Sequence, residues 1–494
     1  MLTFDPDSVA LPGASYVGGR FRAGRGEEIP LRRPSDGKII RALREDDAAD
    51  CDAAIRGAQE AWTASGWGSC PPRQRAAVLR RLADLVERDV DELARLEALG
   101  SSRAIAEARG RDIPVVAEMI RFAAECADKF SGEILPGPHS ALNLIEHEPW
   151  GVVLAISPWN VPLLLAMGKV APALAAGNAV VLKPSELTPL SVLRVAELAT
   201  EAGLPAGLFN VLIGRGPTTG TACVRHPLVR YISFTGSTAA GITITGEAAR
   251  HGLKPVSLEL GGKGPQVVFA DAPNLGNVAD MVALGVTRNA GQICFAGTRL
   301  VVEDSIADRF VGMVAERLAR VRSGPTWDEA TEMPAIISAA QADRIEGLIG
   351  QGVAAGGRVV AGGKRIDRGA AHFFEPTILA DVAPDNPAVE QEIFGPVLAV
   401  QRFSGFEDAM RLADHPLYGL TASVYTRDID KAMAAARGIE SGTVWINGFG
   451  RGADLTSPFG GFKQSGMGKD FGVMGFKKYQ RAKVINVFLN QPEE

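Results

Sequence analysis

Between residues 152 and 234, four short, largely apolar runs alternate with helical stretches, and this rhythm restricts the fold more than any other feature. The runs are Val152-Val153-Leu154-Ala155-Ile156, Ala179-Val180-Val181-Leu182, 209–213 and 231–234, with helices expected from Pro162 and over 189–202. A strand with apolar side chains on both faces must be covered on both faces. The runs therefore predict a parallel sheet between two helical layers, joined by right-handed crossovers. Such sheets bind ligands at the carboxyl ends of their strands. A second α/β alternation runs from Gln266 to about Asn447.

Upstream, Leu79, Leu82, Val86, Val90 and Leu93 recur at three- and four-residue steps and predict a helix over 73–99. A second helix is expected over 113–130. Pro136, Gly137 and Pro138 then break the pattern, and the extended run 141–147 completes what reads as a protruding hairpin. Short strand pieces are expected at 14–21. The segment 483–489 reads as a strand able to pair with a partner subunit. A chain of 494 residues exceeds one core and predicts roughly three domains.

The bulk chemistry narrows the function classes. Hydrophobic residues at 46% and charged residues at 22% argue against disorder. A net charge of −5 with no Lys/Arg run argues against a nucleic-acid partner. No apolar run is long enough to span a membrane, and the acidic first ten residues lack a signal-peptide pattern. The five cysteines form no C-x-x-C pair and suit a reducing compartment, so a cytoplasmic location is expected. The six histidines have no zinc-site spacing, so no metal is expected.

Five segments can carry chemistry. Cys294 lies in Asn289-Ala-Gly-Gln-Ile-Cys-Phe-Ala-Gly-Thr-Arg299. A cysteine between Ile and Phe is ordinarily an inert hydrophobe, but Gly291 and Gly297 let the backbone bend closely around a bound group. Glu259, in Ser257-Leu-Glu-Leu-Gly-Gly-Lys263, is either an ion-paired strand-end carboxylate or a partly dry one with a raised pKa suited to a general base. In Ile156-Ser-Pro-Trp-Asn160, Trp159 and Asn160 can serve packing and turn chemistry, or the Asn amide can donate to an oxyanion. Lys183-Pro-Ser-Glu186 follows a strand and can meet ribose hydroxyls. Phe234-Thr-Gly-Ser-Thr-Ala-Ala-Gly241 opens a helix whose free N–H groups can hold a phosphate.

These segments, with Glu392-Ile-Phe-Gly-Pro396 and Ser457-Pro-Phe-Gly-Gly461, resemble the aldehyde dehydrogenase superfamily in order and separation, over about residues 15–490. The resemblance implies an α/β fold with a Rossmann-like cofactor domain, an α/β catalytic domain and a β-arm that joins subunits into dimers or tetramers. It apportions 1–130 and 150–261 to NAD(P) binding, 262–462 to catalysis, and 131–149 with 463–494 to the arm. It implies that Cys294 is the nucleophile, Glu259 the general base and Asn160 an oxyanion donor, while Lys169 relays protons. Lys183, Ser185 and Glu186 would meet the adenosine ribose, Ser237 the pyrophosphate, and Glu392 with Phe394 the nicotinamide ribose. Ile156, Trp159, Gly216, Phe234, Gly236 and Leu260 would complete the cofactor site. Glu186 favours NAD by repelling a 2′-phosphate, although a mobile Glu leaves NADP open.

The chain also departs from the family pattern. Asp470 stands where Glu is frequent in the lysine-linked relay, and Gly264 where Ser is common. Val161 and Gly168 replace bulkier residues and are expected to widen the entry tunnel. Arg288 occupies a position that meets a carboxylate in semialdehyde-oxidising relatives, or is paired with a nearby acid. The substrate classes in view are a bulky aromatic aldehyde and an anionic semialdehyde. A CoA-acylating relative is disfavoured by Glu259, and an inactive structural relative by the presence of both nucleophile and base. A moonlighting binding role stays open.

Overall fold

A computed structural model describes residues 3–450 and 454–489. The first sheet has eight strands. Its parallel centre runs in the order Phe209–Val211, Ala179–Pro184, Val152–Ser157, Val229–Thr235, Val256–Glu259. Strands 152–157 and 179–184 are buried at every position, as their apolar runs 152–156 and 179–182 require. The chain lays strands outward on one side of Val152–Ser157, then returns to build on the other. The order reverses between Val152–Ser157 and Val229–Thr235, which opens a crevice at their carboxyl ends.

A second, seven-stranded sheet runs Arg358–Ala361, Thr377–Ala380, Val397–Phe403, Arg299–Glu303, Pro265–Val268, Thr421–Tyr425, Thr443–Ile446. Only its first edge strand is antiparallel. A third sheet stands apart as an arm of Glu133–Leu135, Ala141–Pro149 and Gln480–Phe488. Among the described residues no helix is long and apolar enough to cross a membrane.

Within the arm the terminal strand pairs along one edge with its own chain, from Gln480 opposite Pro149 to Phe488 opposite Ala141. Two expectations need correction. The helix expected over 73–99 is two helices, Pro72–Arg88 and Val90–Gly100, broken at Asp89. There the Asp89 carboxylate accepts from Arg88 and Arg194, so a tertiary ion pair overrides a continuous apolar stripe. The expected arm segment 463–494 divides. Gly466–Met467 edges the first sheet against Val256–Glu259, and Gly472–Lys477 packs on the helices Ile113–Cys126 and Pro162–Ala175. Of the described residues after 463, those from Gln480 onward form the arm.

Arg299 ties the second sheet to the Lys263 segment and to the end of the helix Phe406–Ala413. It is wholly buried and donates to the carbonyls of Lys263, Leu412 and Ala413 at 2.8, 2.7 and 2.7 Å. Replacing it strands three buried acceptors, so Arg299→Met is expected to lower stability by about 3 kcal/mol in urea unfolding followed by circular dichroism. A change within error would show that these bonds carry no net stability.

Candidate active site

The crevice at the strand reversal receives a loop from the second sheet. Asn289, Ala290 and Gly291 all adopt left-handed backbone, with φ of 50°, 54° and 70°. Two consecutive non-glycine residues in that region are costly and persist only where their surroundings hold them. The holding is visible. Gln292 Nε2 donates to Asn289 O at 2.9 Å, and Ile337 N donates to Gln292 Oε1 at 3.0 Å. From the first sheet, Asn160 Nδ2 donates to Gln292 O at 3.0 Å, while Asn289 Nδ2 donates to Asn160 O at 3.0 Å. Sequence reasoning named Asn160 but missed Asn289 and Gln292; two amides flanking a glycine beside the cysteine were the available signal.

This loop presents Cys294, half-buried, where two cavities meet, because Cys294, Asn160 and Thr235 line both. Burial pushes the thiol up to about 12, and the charges of Glu392 and Glu259 push the same way. The N–H groups of Phe295 and Cys294 oppose them by favouring the thiolate.

Glu259 ends the strand Val256–Glu259, next to Thr235 in register. It is buried, and neither carboxylate oxygen has a hydrogen-bond partner among the described residues. Burial first, then the charge of Asp470, raises its pKa well above the carboxylate range. Gly460 faces the carboxylate, and a Cβ there would press on Oε1.

Lys169 is fully buried and donates to Asp470 Oδ2 at 2.8 Å and to Ser233 Oγ at 3.3 Å. The shorter acid still reaches the lysine. A feature absent from the sequence reading is Lys478, which binds the other oxygen of Asp470 and Ser257 Oγ at 3.1 Å. Tyr479 OH closes the cluster on Ser233 Oγ at 3.1 Å. Burial lowers the Lys169 pKa, whereas the two lysines hold Asp470 down at about 2.

The larger cavity, with about 1190 Å³ of empty space, is lined by Trp159, Gly236, Ser237, Leu260, Glu392 and Phe394 among the residues expected for a cofactor. Gly236 to Ala239 bring it the first turn of the helix Thr238–Arg250. Ser237 Oγ caps that helix by accepting from Ala240 N at 3.3 Å, which leaves earlier N–H groups for an anion. Glu392 accepts from Gly262 N at 3.0 Å, an approach open only because Gly261 has no Cβ. Burial raises the Glu392 carboxyl to about 7. Lys183, Ser185, Glu186, Ile156, Phe234 and Gly216 do not line this cavity. Ile156 pairs in register with both Lys183 and Phe234 at the same strand ends, and Lys183 Nζ meets Glu186 Oε2 at 3.2 Å. Gly216 lies in the separate turn Gly216–Gly220. The cleft, the free helix N-terminus and the Lys183–Glu186 pair fit a dinucleotide.

The second cavity, about 890 Å³, is mostly apolar and includes Val161 and Arg288. Arg288 Nε meets Glu107 Oε1 at 2.9 Å, which is the paired alternative. Gly168 does not line this tunnel; with Met119 and Phe471 it lines a smaller cavity that adjoins it.

A doubly wound sheet, a nucleotide-sized cleft and a cysteine at its mouth define a dehydrogenase-type site. The aldehyde dehydrogenase family model matches residues 21–485, and the chain belongs to that family. It is 40% identical to the NADP/NAD-dependent aldehyde dehydrogenase PuuC of Escherichia coli K12, over 98% of this chain and 97% of that protein. A crystal structure of indole-3-acetaldehyde dehydrogenase complexed with NAD+ superposes with a TM-score of 0.96 at 40% identity, covering 99% and 100% of the two chains. The gamma-glutamyl-gamma-aminobutyraldehyde dehydrogenase of Burkholderia cenocepacia gives 0.95 at 40% identity, covering 98% of each.

A Cβ on Gly291 would collide with the carbonyl of Gly395 and would have to adopt φ of 70°. Gly291→Ala is therefore expected to cost at least about 2 kcal/mol, read as a lower thermal midpoint. An unchanged midpoint would mean that the loop relaxes freely.

Proposed function

We propose that this protein oxidises aldehydes to carboxylic acids with NAD through a thioester on Cys294. The observation that carries this reading is that Cys294 stands where the nucleotide-sized cleft and the apolar tunnel meet. An aldehyde entering by the tunnel brings its carbonyl carbon to the sulfur. Glu259 first takes the Cys294 proton and passes it on, and attack by the resulting thiolate makes a tetrahedral alkoxide, which the second N–H of the Asn160 amide and the N–H of Cys294 stabilise. Bound NAD supplies the hydride acceptor. Loss of hydride from the carbon leaves a thioester on Cys294. Glu259, dry and proton-hungry, takes a proton from water as that water attacks the thioester carbonyl, and the acid leaves with the sulfur restored as leaving group.

The ion pair of Glu186 with Lys183 keeps a carboxylate near the expected ribose and favours NAD over NADP. A base able to activate water supports hydrolysis over transfer to CoA. Ile134, Val484 and Phe488 are exposed on the arm, which supports its use in a homodimer or homotetramer. The free cysteines support a cytoplasmic location.

The cluster beneath Glu259 supports a route for the proton. One carboxylate, Asp470, neutralises one buried cation, and it faces two. Lys478 is the cation stabilised there, its pKa raised by Asp470, while burial leaves Lys169 with a lowered pKa and able to exist as the neutral amine. Lys169 then accepts the proton from Glu259, and Lys478 positions its titration.

Two experiments follow. Assayed for NADH formation against aliphatic, aromatic and carboxylate-bearing aldehydes, wild type is expected to turn over and Cys294→Ala to be inactive. Asn160→Ala is expected to lose about two to three orders of magnitude in kcat with its fold intact. Wild type without turnover on every aldehyde, or an active Cys294→Ala, would overturn the reading. In the second, Lys478→Met leaves Asp470 to Lys169 alone and raises the Lys169 pKa. Its neutral fraction then falls at a given pH, so the acidic limb of kcat should move about one unit to higher pH. Adding Asp470→Asn removes the carboxylate and should move the limb back. A limb unmoved in both variants would exclude Lys478 from the route.

A further inference from the structure

One wall of the substrate tunnel carries more cations than acids. Arg103, Arg111 and Arg288 all line it. Two carboxylates, Glu107 and Asp112, pair with them, and the charge of a third, the buried Glu97, acts on Arg103. Arg103, fully buried, binds Asp112 Oδ2 at 2.8 Å and also Glu107. Glu107 gives its other oxygen to Arg288 at 2.9 Å. Arg111 is left with Asp112 Oδ1 at 3.7 Å, outside hydrogen-bond reach, and its side chain is 34% exposed. Among the described residues its guanidinium makes no hydrogen bond, although five N–H groups are available.

The placement of Arg111 follows from local backbone. It sits in the widened turn Ala108–Asp112, between the short helix Ile105–Glu107 and the helix Ile113–Cys126. One extra residue in that turn sets Arg111 out of register with the helix face that buries Ile113 and Val116, and into the tunnel. Its cost is visible, since burial and the nearby Arg288 charge both disfavour the cation. A half-buried guanidinium that makes no hydrogen bond and has its nearest acid 3.7 Å away, in a mostly apolar tunnel, is an arrangement that an arriving anion completes.

We propose that the substrate is an aldehyde bearing a carboxylate at the end remote from its carbonyl, and that Arg111 receives this carboxylate. The inference rests on the oxidation proposed above and assigns its substrate class. Arg288 lines the same tunnel with its guanidinium paired to Glu107. The spacer between aldehyde and acid is apolar, because Val115, Leu164, Ile293 and Phe295 line the passage between them. Asp454 also lines the tunnel, with its carboxylate accepting from Thr456 and Ser457. It repels an anion set beside it, so the carboxylate is received on the Arg111 wall.

The test compares ω-oxo acids of increasing chain length with alkanals of matched length, in the full-length protein with NAD. The readout is the ratio of kcat/KM for acid over alkanal. Wild type is expected to favour the acid by about 10- to 100-fold at one or more lengths, the range of a charge-assisted contact. Arg111→Met should bring that ratio near unity through KM, Arg111→Lys should keep part of it, and Arg111→Glu should invert it. A wild-type ratio near unity at every length, or a ratio that survives Arg111→Met, would overturn the assignment. Failure to oxidise either series would instead count against the oxidation itself. The thermal midpoint of each variant separates misfolding from lost recognition, and Arg111→Lys keeps the test decisive if the Met variant unfolds.

Discussion

The site depends on two amides that bind the two sheets together. Asn160 stands on the loop after a first-sheet strand, and Gln292 on the strained loop leading into the second sheet. Asn160 Nδ2 donates to the Gln292 carbonyl, and Asn289 Nδ2 returns a bond to the Asn160 carbonyl. These bonds fix the cysteine loop over the strand reversal, where the first sheet opens its crevice. They also use one N–H of the Asn160 amide and leave the second free, so the group that docks the loop is the same group that can meet an oxyanion. Strain in three left-handed residues is balanced by this docking, and nucleophile geometry and inter-sheet packing become one property.

Beneath that junction the protein places charges where water is scarce. A buried ionised group is tolerated only when paired, and the pairing here is uneven in quality. Asp470 binds two lysines, while Glu259 beside them has no hydrogen-bond donor among the described residues. In the tunnel wall Arg103 and Arg288 hold close acids, and Arg111 has only Asp112 at 3.7 Å. Lys169 is pressed toward the neutral amine by burial. Glu259 is the complement, a dry acid with no donor of its own.

The parts written in local sequence were legible. Fully buried parallel strands are apolar on both faces, so 152–156 and 179–182 declared themselves, while Cys294, Glu259 and Asn160, singled out through their motifs, line one cavity. What escaped depends on contacts between distant segments. Asp89 breaks a helix because Arg194, from another helix, reaches it. Lys478 matters through Asp470 and Ser257, neither of which marks it in the sequence. Arg111 is one arginine among many until the partners of Glu107 and Asp112 are known. Gly168 was expected to widen the tunnel, yet the space it leaves belongs to an adjoining cavity shared with Phe471 and Met119, which only the packing of distant helices decides.

The central claim is that an acyl group passes through Cys294 and waits there for Glu259. The most direct measurement is the intact mass of Glu259→Gln, quenched in acid after mixing with NAD and benzaldehyde, followed by peptide mapping. The account predicts a stoichiometric burst of NADH and a benzoyl adduct on the peptide containing Cys294. Steady turnover with no adduct, or an adduct on Cys51, Cys70, Cys126 or Cys223, would contradict it.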